Sequence, residues 1–190
     1  MMQIRKIGRS VILPHERILR YIEIFHKKFA AKSTSPILDF GSGTLFFSEK
    51  LAEKYNNDIY AVDILYERKK PQVKTEKIKL FENLNKIPDD TDFSMIFTSD
   101  VLHHIDPEPR QEILDKLVQK TNLIVVKEIE AKDFLGNLQN KLHDLILNQE
   151  IIHDIYSKDL RIYFKEKGFK VRIFQMKKFG YPHFLLIAYK

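Results

Sequence analysis

The stretch Ile37-Leu38-Asp39-Phe40-Gly41-Ser42-Gly43-Thr44 decides the fold of this chain. It is an apolar run that ends in two glycines, and residues 45–55 after it carry apolar side chains at helical spacing. A strand, a glycine turn and a helix in this order are typical of the first βαβ unit of a nucleotide-binding fold. Glycine lets a ligand approach the backbone closely, and the start of the helix offers unpaired N–H groups. The stretch therefore predicts a ligand-binding turn in an α/β protein.

A second apolar run, residues 58–63, ends in the carboxylate of Asp63. Asp63 lies about 20 residues beyond the glycines, where nucleotide-binding folds place an acid on the ribose hydroxyls. Two glycines alone are weak evidence, because many turns contain Gly-x-Gly. With Asp39 inside the first strand and Asp63 at the tip of the second, the pattern becomes fairly specific.

Three segments together resemble one family: residues 37–44, Asp63, and the segment Asp100-Val101-Leu102-His103-His104-Ile105. They are similar to the class I S-adenosylmethionine-dependent methyltransferases, and most to the small-molecule branch with a Leu-His-His segment after the fourth strand. The resemblance covers residues 35–130 well and the remainder more loosely. One departure is Leu45, which stands where many members have a third glycine.

The resemblance implies a Rossmann-like α/β fold with seven strands, mostly parallel with the last strand antiparallel, and helices on both faces. It also implies S-adenosylmethionine as the cofactor. The residues that would bind it are Asp39, Gly41, Ser42, Gly43, Asp63, Ile64, Glu82, Asn83, Ser99 and Asp100. Glu82 or Asn83 would lie near the adenine, and two polar residues in a surface turn are an equal alternative.

Short apolar runs predict the remaining strands at residues 77–81, 93–97, 123–126, 169–177 and 184–189. Open α/β sheets bind ligands beyond the carboxyl ends of their strands. Asp100 and the two histidines after the fourth strand therefore fall on the ligand side by position. Lys127 and Glu128 follow the fifth strand on the same side, where they can equally pair with each other.

Two peripheral segments have their own predictions. Residues 1–34 are expected to form a loose arm or small extra strand, then an amphipathic helix over about 15–31 with Pro14 in its first turn. Residues 131–156 exceed what a strand connection needs, and their leucines form a helical stripe. This segment is predicted to be a helical lid over the acceptor pocket.

The composition indicates one domain over residues 1–190, since 44% of the residues are hydrophobic and the length suits one core. The chain has no cysteine, which excludes disulfides and thiolate metal sites. No apolar stretch approaches the length of a membrane span, so a cytoplasmic location is expected. The net charge of +6 leaves nucleic acid possible as a partner. It is not favoured, because the lysines are spread among many acids.

Methyl transfer from a sulfonium needs an acceptor held in line and, where the acceptor has a proton, a base that removes it. The candidate catalytic residues are His103, His104 and Glu128, and His143 and His183 are further candidate bases. Adjacent residues point in different directions, so at most one of His103 and His104 is expected to face the site. The histidines lack a recognised metal-ligand spacing, so no metal site is predicted.

The predicted function is S-adenosylmethionine-dependent methyl transfer to a small-molecule or lipid-precursor acceptor. Two alternatives stay open: an RNA-modifying methyltransferase of the same fold, and a non-catalytic nucleotide-binding module. Against an RNA enzyme, the chain lacks the Asn/Asp-Pro-Pro-Tyr/Phe segment of amino-methylating nucleic-acid enzymes. Against NAD, Phe46 replaces the last glycine of the G-x-G-x-x-G pattern. The sequence predicts no particular oligomeric state.

Overall fold

A seven-stranded sheet forms the centre of the computed structural model, which describes residues 2–30, 33–68, 70–131, 153–178 and 181–190. The strand order is β3-β2-β1-β4-β5-β7-β6. The strands are β1 (Ile37–Phe40), β2 (Ile59–Val62), β3 (Ile78–Phe81), β4 (Met95–Ser99), β5 (Leu123–Ile129), β6 (Lys170–Lys178) and β7 (Tyr181–Tyr189). β7 runs antiparallel to β5 and β6, and the other neighbours are parallel. The predicted fold class is confirmed.

Helices cover both faces of this sheet. They are α1 (Met2–Phe29), α2 (Phe46–Lys54), α3 (Pro107–Leu117) and α4 (Ser157–Glu166). One apolar core packs α1 and α2 against the sheet, and a second packs α3 and α4 against its other face. β1 contributes to both cores because successive strand side chains point to opposite faces. Ile37 joins the first core and Leu38 the second, so Asp39 points to the α1–α2 side.

The amino-terminal helix differs from its prediction. The expected arm or extra strand over residues 1–13 is wrong, because α1 begins at Met2 and continues through Pro14 to Phe29. A proline inside a helix removes the hydrogen bond to the carbonyl four residues earlier. The residues from Met2 to Lys6 are mostly good helix formers, so the helix continues on the amino-terminal side of the proline.

β5 is three residues longer than the predicted strand 123–126. Its partner β7 pairs with it from Leu123, opposite Tyr189, to Ile129, opposite His183. Lys127 and Glu128 therefore lie inside the strand, where neighbouring side chains point to opposite faces. The alternative in which these two residues pair with each other is wrong.

Candidate functional site

The turn between β1 and α2 is shaped by Gly41 and Gly43, whose φ angles are 74° and 48°. These angles lie in the left-handed region that glycine adopts readily. A Cβ atom on Gly41 would lie 1.9 Å from Cγ2 of Val101, so glycine is needed for the loop after β4 to pack on the turn. A Cβ atom on Gly43 would meet no described heavy atom within 4 Å. At Gly43 the turn is therefore open to a ligand.

Asp63 closes the turn from the tip of β2. Its Oδ2 accepts the N–H of Gly43 at 2.8 Å, and its Oδ1 accepts the N–H of Leu65 at 2.9 Å. A carboxylate has about four lone-pair sites, so both oxygens keep room for a further donor. Tyr66, which the sequence did not point to, donates to the carbonyl of Gly43 at 3.1 Å and contacts the Ser42 hydroxyl at 2.9 Å. The turn is thus held from two sides.

Asp39 is a buried acid beneath this turn, with 2% of its surface exposed. Its Oδ2 accepts the hydroxyl of Ser48, in the first turn of α2, at 2.6 Å. Burial raises the pKa of Asp39 to about 7; the Ser48 bond opposes the rise and the charge of Asp63 adds to it. A cation in this place would stabilise the ionised form.

The raised pKa of Asp39 predicts a loss of stability as the pH rises. Below pH 3.8 the carboxyl is neutral in both states, and above about pH 7 ionisation costs the folded state roughly 4 kcal/mol. Asp39→Asn keeps an acceptor for Ser48 without this cost. We expect the free energy of unfolding of the variant, relative to that of the parent, to increase as the pH is raised from 4 to 7. Urea unfolding measures this difference. Parallel pH profiles would contradict the prediction.

A cavity of about 350 Å³ lies at the turn. Its lining residues are His15, Asp39, Gly41, Ser42, Gly43, Thr44, Phe46, Phe47 and Ser99. Five of them belong to the predicted cofactor set. The sequence did not indicate His15, Phe46 and Phe47, because only the packing of α1 beside α2 brings these rings together.

The other predicted cofactor residues do not line this cavity. Ile64 follows Asp63 and is 73% exposed. Asn83 accepts the backbone N–H of Asn85 at 3.1 Å, so its side chain caps a short turn. The Glu82 carboxylate lies 3.6 Å from the ammonium of Lys70.

Glu128 organises the loop after β4. It is fully buried, and its Oε1 accepts the N–H groups of Val101 at 2.9 Å and Leu102 at 2.7 Å. Its Oε2 lies 2.6 Å from Nδ1 of His103, which is 5% exposed. A carboxylate oxygen only accepts, so the proton lies on Nδ1 and Nε2 is the basic nitrogen of His103. His104 is exposed, so the inward-facing member of the pair is His103.

Asp100 directly follows β4 and has a left-handed conformation, with a φ angle of 57°. Its N–H donates to the carbonyl of Lys127 at 2.9 Å, and its Oδ2 pairs with the buried ammonium of Lys127. Nε2 of His183 lies 3.7 Å from Oδ1. Burial alone would raise the pKa of Asp100, but the charge and the hydrogen bond of Lys127, together with smaller contributions from His183 and His103, hold that pKa below its usual value. Asp100 is therefore a carboxylate at neutral pH.

The two ends of the predicted lid meet beside His103. The N–H of Ala131 donates to the carbonyl of Ile155 at 3.0 Å, and the N–H of His153 donates to the carbonyl of His103 at 2.8 Å. Most of the predicted lid, including His143, lies outside the described residues. Its position over the acceptor pocket stays a prediction.

A methyltransferase domain family matches residues 13–172, well over half of the chain. The chain belongs to this family. The S-adenosylmethionine cofactor implied by the sequence resemblance is confirmed at the level of the family. By sequence alone, no curated protein is similar to this methyltransferase.

Solved structures share its fold. Magnesium protoporphyrin IX methyltransferase from Synechocystis, with bound S-adenosylhomocysteine, has a TM-score of 0.66 and 15% identity over 97% of this chain and 87% of that one. The 1,6-didemethyltoxoflavin-N1-methyltransferase of Burkholderia thailandensis has a TM-score of 0.65 and 15% identity, over 96% and 82% of the two chains. A chain of the Pnkp1/Rnl/Hen1 RNA repair complex has a TM-score of 0.57 and 13% identity, over 90% and 41%.

Two features are absent from the described part of the chain. No helix there combines the length and the apolar character that crossing a bilayer requires. No group of three potential metal-ligating side chains comes together among the same residues.

Leu45, the departure from the family's glycine pattern, packs into the core between α1, α2 and the sheet. Its side chain is fully buried although its φ angle is 68°. Glycine would relieve about 1–2 kcal/mol of backbone strain but lose about 2–5 kcal/mol of packing. We expect Leu45→Gly to lower the free energy of unfolding without tightening S-adenosylmethionine binding. Melting curves with and without the cofactor test this, and a variant that is more stable or binds more tightly contradicts it.

Proposed function

We propose that this methyltransferase transfers the methyl group of S-adenosylmethionine to a small-molecule or lipid-precursor acceptor, with His103 as the general base. The observation that carries the proposal is the buried Glu128–His103 pair beside the glycine turn. Val101 connects the two places, because its N–H bonds to Glu128 and its side chain packs on Gly41. A cofactor at the turn and a base after β4 would then share one edge of the sheet.

The residues at the turn fit the cofactor. Gly43 is open to a ligand, and Asp63 keeps lone pairs that accept ribose hydroxyls. Asp39 would be stabilised in its ionised form by the ammonium of the methionine end. Ile64 and Glu82 are assigned to the adenine side, and Ser99 and Asp100 to the end of the site towards the acceptor. Among the proposed cofactor-binding residues Asn83 has the least support, because its side-chain carbonyl oxygen already caps a turn.

S-adenosylmethionine, when bound, supplies a methyl group on a positively charged sulfur. His103 accepts the proton of the acceptor at Nε2, and Glu128 holds the ring through Nδ1. The buried carboxylate also stabilises the imidazolium that forms. Glu128 is therefore a positioning residue. The described ends of the segment that the sequence predicts as a lid come together beside His103.

The acceptor class is supported by the two small-molecule enzymes, whose similarity extends over most of both chains. The similarity to the RNA repair chain covers 41% of that chain, but the methyltransferase domain of a bacterial Hen1 is similar over 92% of this chain and 97% of that one, so coverage does not separate the two acceptor classes. The net charge of +6 makes RNA the alternative to test. A plain dinucleotide-binding module is disfavoured by the match to the methyltransferase family.

Incubation with S-adenosylmethionine labelled at its methyl group tests the proposal. The purified protein is supplied separately with the low-molecular-weight, lipid and RNA fractions of a cell extract. We expect label in one of the first two fractions. Label in RNA alone would overturn the acceptor class, and an absence of cofactor binding in calorimetry would overturn the enzymatic proposal itself.

A further inference from the structure

Three aromatic rings form one wall of the cavity at the glycine turn. His15 comes from α1, and Phe46 and Phe47 begin α2. The ring centroids of His15 lie 5.0 Å from Phe46 and 5.5 Å from Phe47, and those of the two phenylalanines are 5.2 Å apart. We call these three residues the aromatic wall.

The wall is fixed at its base and exposed at its edge. The ring of Phe47 lies 4.8 Å from the fully buried ring of Phe97 in β4, so its position is set by the core. Phe46 leaves 45% of its surface exposed, although it is a large apolar side chain at the cavity. Folding gains little from a ring that stays half in water, so the surface of Phe46 is available to a ligand.

The same cavity contains a buried acid, Asp39. The faces of phenyl rings, such as those of Phe46 and Phe47, carry partial negative charge and attract a cation within about 6 Å, with an effect of roughly two- to thirtyfold on affinity. The aromatic faces in this cavity therefore suit a positively charged group better than a neutral one of the same shape, while the carboxylate suits the ammonium group.

We propose that the aromatic wall recognises the positive charge of the sulfonium and makes the site prefer S-adenosylmethionine to S-adenosylhomocysteine. This inference rests on the proposed function. When the S–CH₃ bond breaks, its electron pair stays on sulfur, and the product is a neutral thioether with the same adenosine and amino-acid parts. Contacts of Asp63 and Asp39 to those parts do not distinguish the two ligands. Only groups beside the sulfur can do so, and they would favour release of the product.

Calorimetry with each ligand separately tests the inference without any acceptor. Phe46→Leu keeps an apolar side chain and removes the ring; because the site is half exposed, the fold is not at risk. We expect its affinity for S-adenosylmethionine to fall by about three- to tenfold, while that for S-adenosylhomocysteine changes by less than about twofold. Phe46→Trp should retain the preference, because indole binds cations best. Phe25→Leu, a change on α1 outside the cavity lining, is the matched control and should alter neither affinity.

The possible outcomes separate this inference from the proposed function. If Phe46→Leu lowers the affinity for both ligands equally, or for neither, the aromatic wall has no role in recognising charge and the inference is overturned. If the parent protein binds neither ligand, the proposed function fails at the same time. The inference is supported if Phe46→Leu loses the preference for S-adenosylmethionine and Phe46→Trp keeps it.

Discussion

Replacing Glu128 with glutamine is expected to slow methyl transfer by about 10²- to 10⁴-fold, the usual contribution of a general base. The affinity for S-adenosylmethionine should stay within about twofold, because the contacts at the turn are unchanged. Glutamine keeps a carbonyl oxygen for the N–H groups of Val101 and Leu102. Its amide nitrogen then points at Nδ1 of His103, so the ring must carry its proton on Nε2 and cannot act as a base.

The tautomer of His103 can be measured without any acceptor. In ¹⁵N NMR spectra we expect a proton on Nδ1 in the parent protein and on Nε2 in Glu128→Gln. The matched control is Glu130→Gln, the same substitution at another buried glutamate in the segment after β5, which bonds to Ser157. It should leave both the tautomer and the rate unchanged. A Glu128→Gln variant with normal turnover would remove His103 from the base role.

Asp63→Ala is expected to weaken S-adenosylmethionine binding by at least about tenfold, since a hydrogen bond to a charged group contributes roughly 1.5–3 kcal/mol. Calorimetry measures the loss. The control is Asp58→Ala at the opposite end of β2, where the carboxylate is 46% exposed and pairs with Lys79 at 2.7 Å. Unchanged affinity in a folded Asp63→Ala protein would exclude Asp63 from the site.

Asp63 also supports the turn through Gly43, so a second measurement separates that support from a ribose contact. The 2′-deoxy form of S-adenosylhomocysteine lacks one of the proposed donors. In the parent protein it should bind more weakly than S-adenosylhomocysteine. In Asp63→Ala the two ligands should bind equally, because the partner of that hydroxyl is gone. If the 2′-deoxy ligand binds more weakly than S-adenosylhomocysteine by the same factor in the parent protein and in Asp63→Ala, then Asp63 acts only by holding the turn.

Predictions from the sequence succeeded where the physical cause is local. The glycine turn at residues 41–43, the position of Asp63 at the tip of β2 and the succession of strands along the chain follow from turn chemistry and short-range apolar periodicity. The sequence also limited the inward-facing histidine to one of His103 and His104. Neighbouring residues cannot face the same way, but nothing local selects between them.

The sequence by itself determined the strand–turn–helix unit, the carboxylate at Asp63 and the succession of elements around a Rossmann-like sheet. Only the tertiary structure decided that Glu128 takes His103 as its partner, because β7 lengthens β5 and so turns Lys127 and Glu128 to opposite faces. It alone brought His15 to Phe46, and Tyr66 to the glycine turn. These contacts join residues more than 20 positions apart. No local preference encodes such contacts, since they form only when separate elements pack on one sheet.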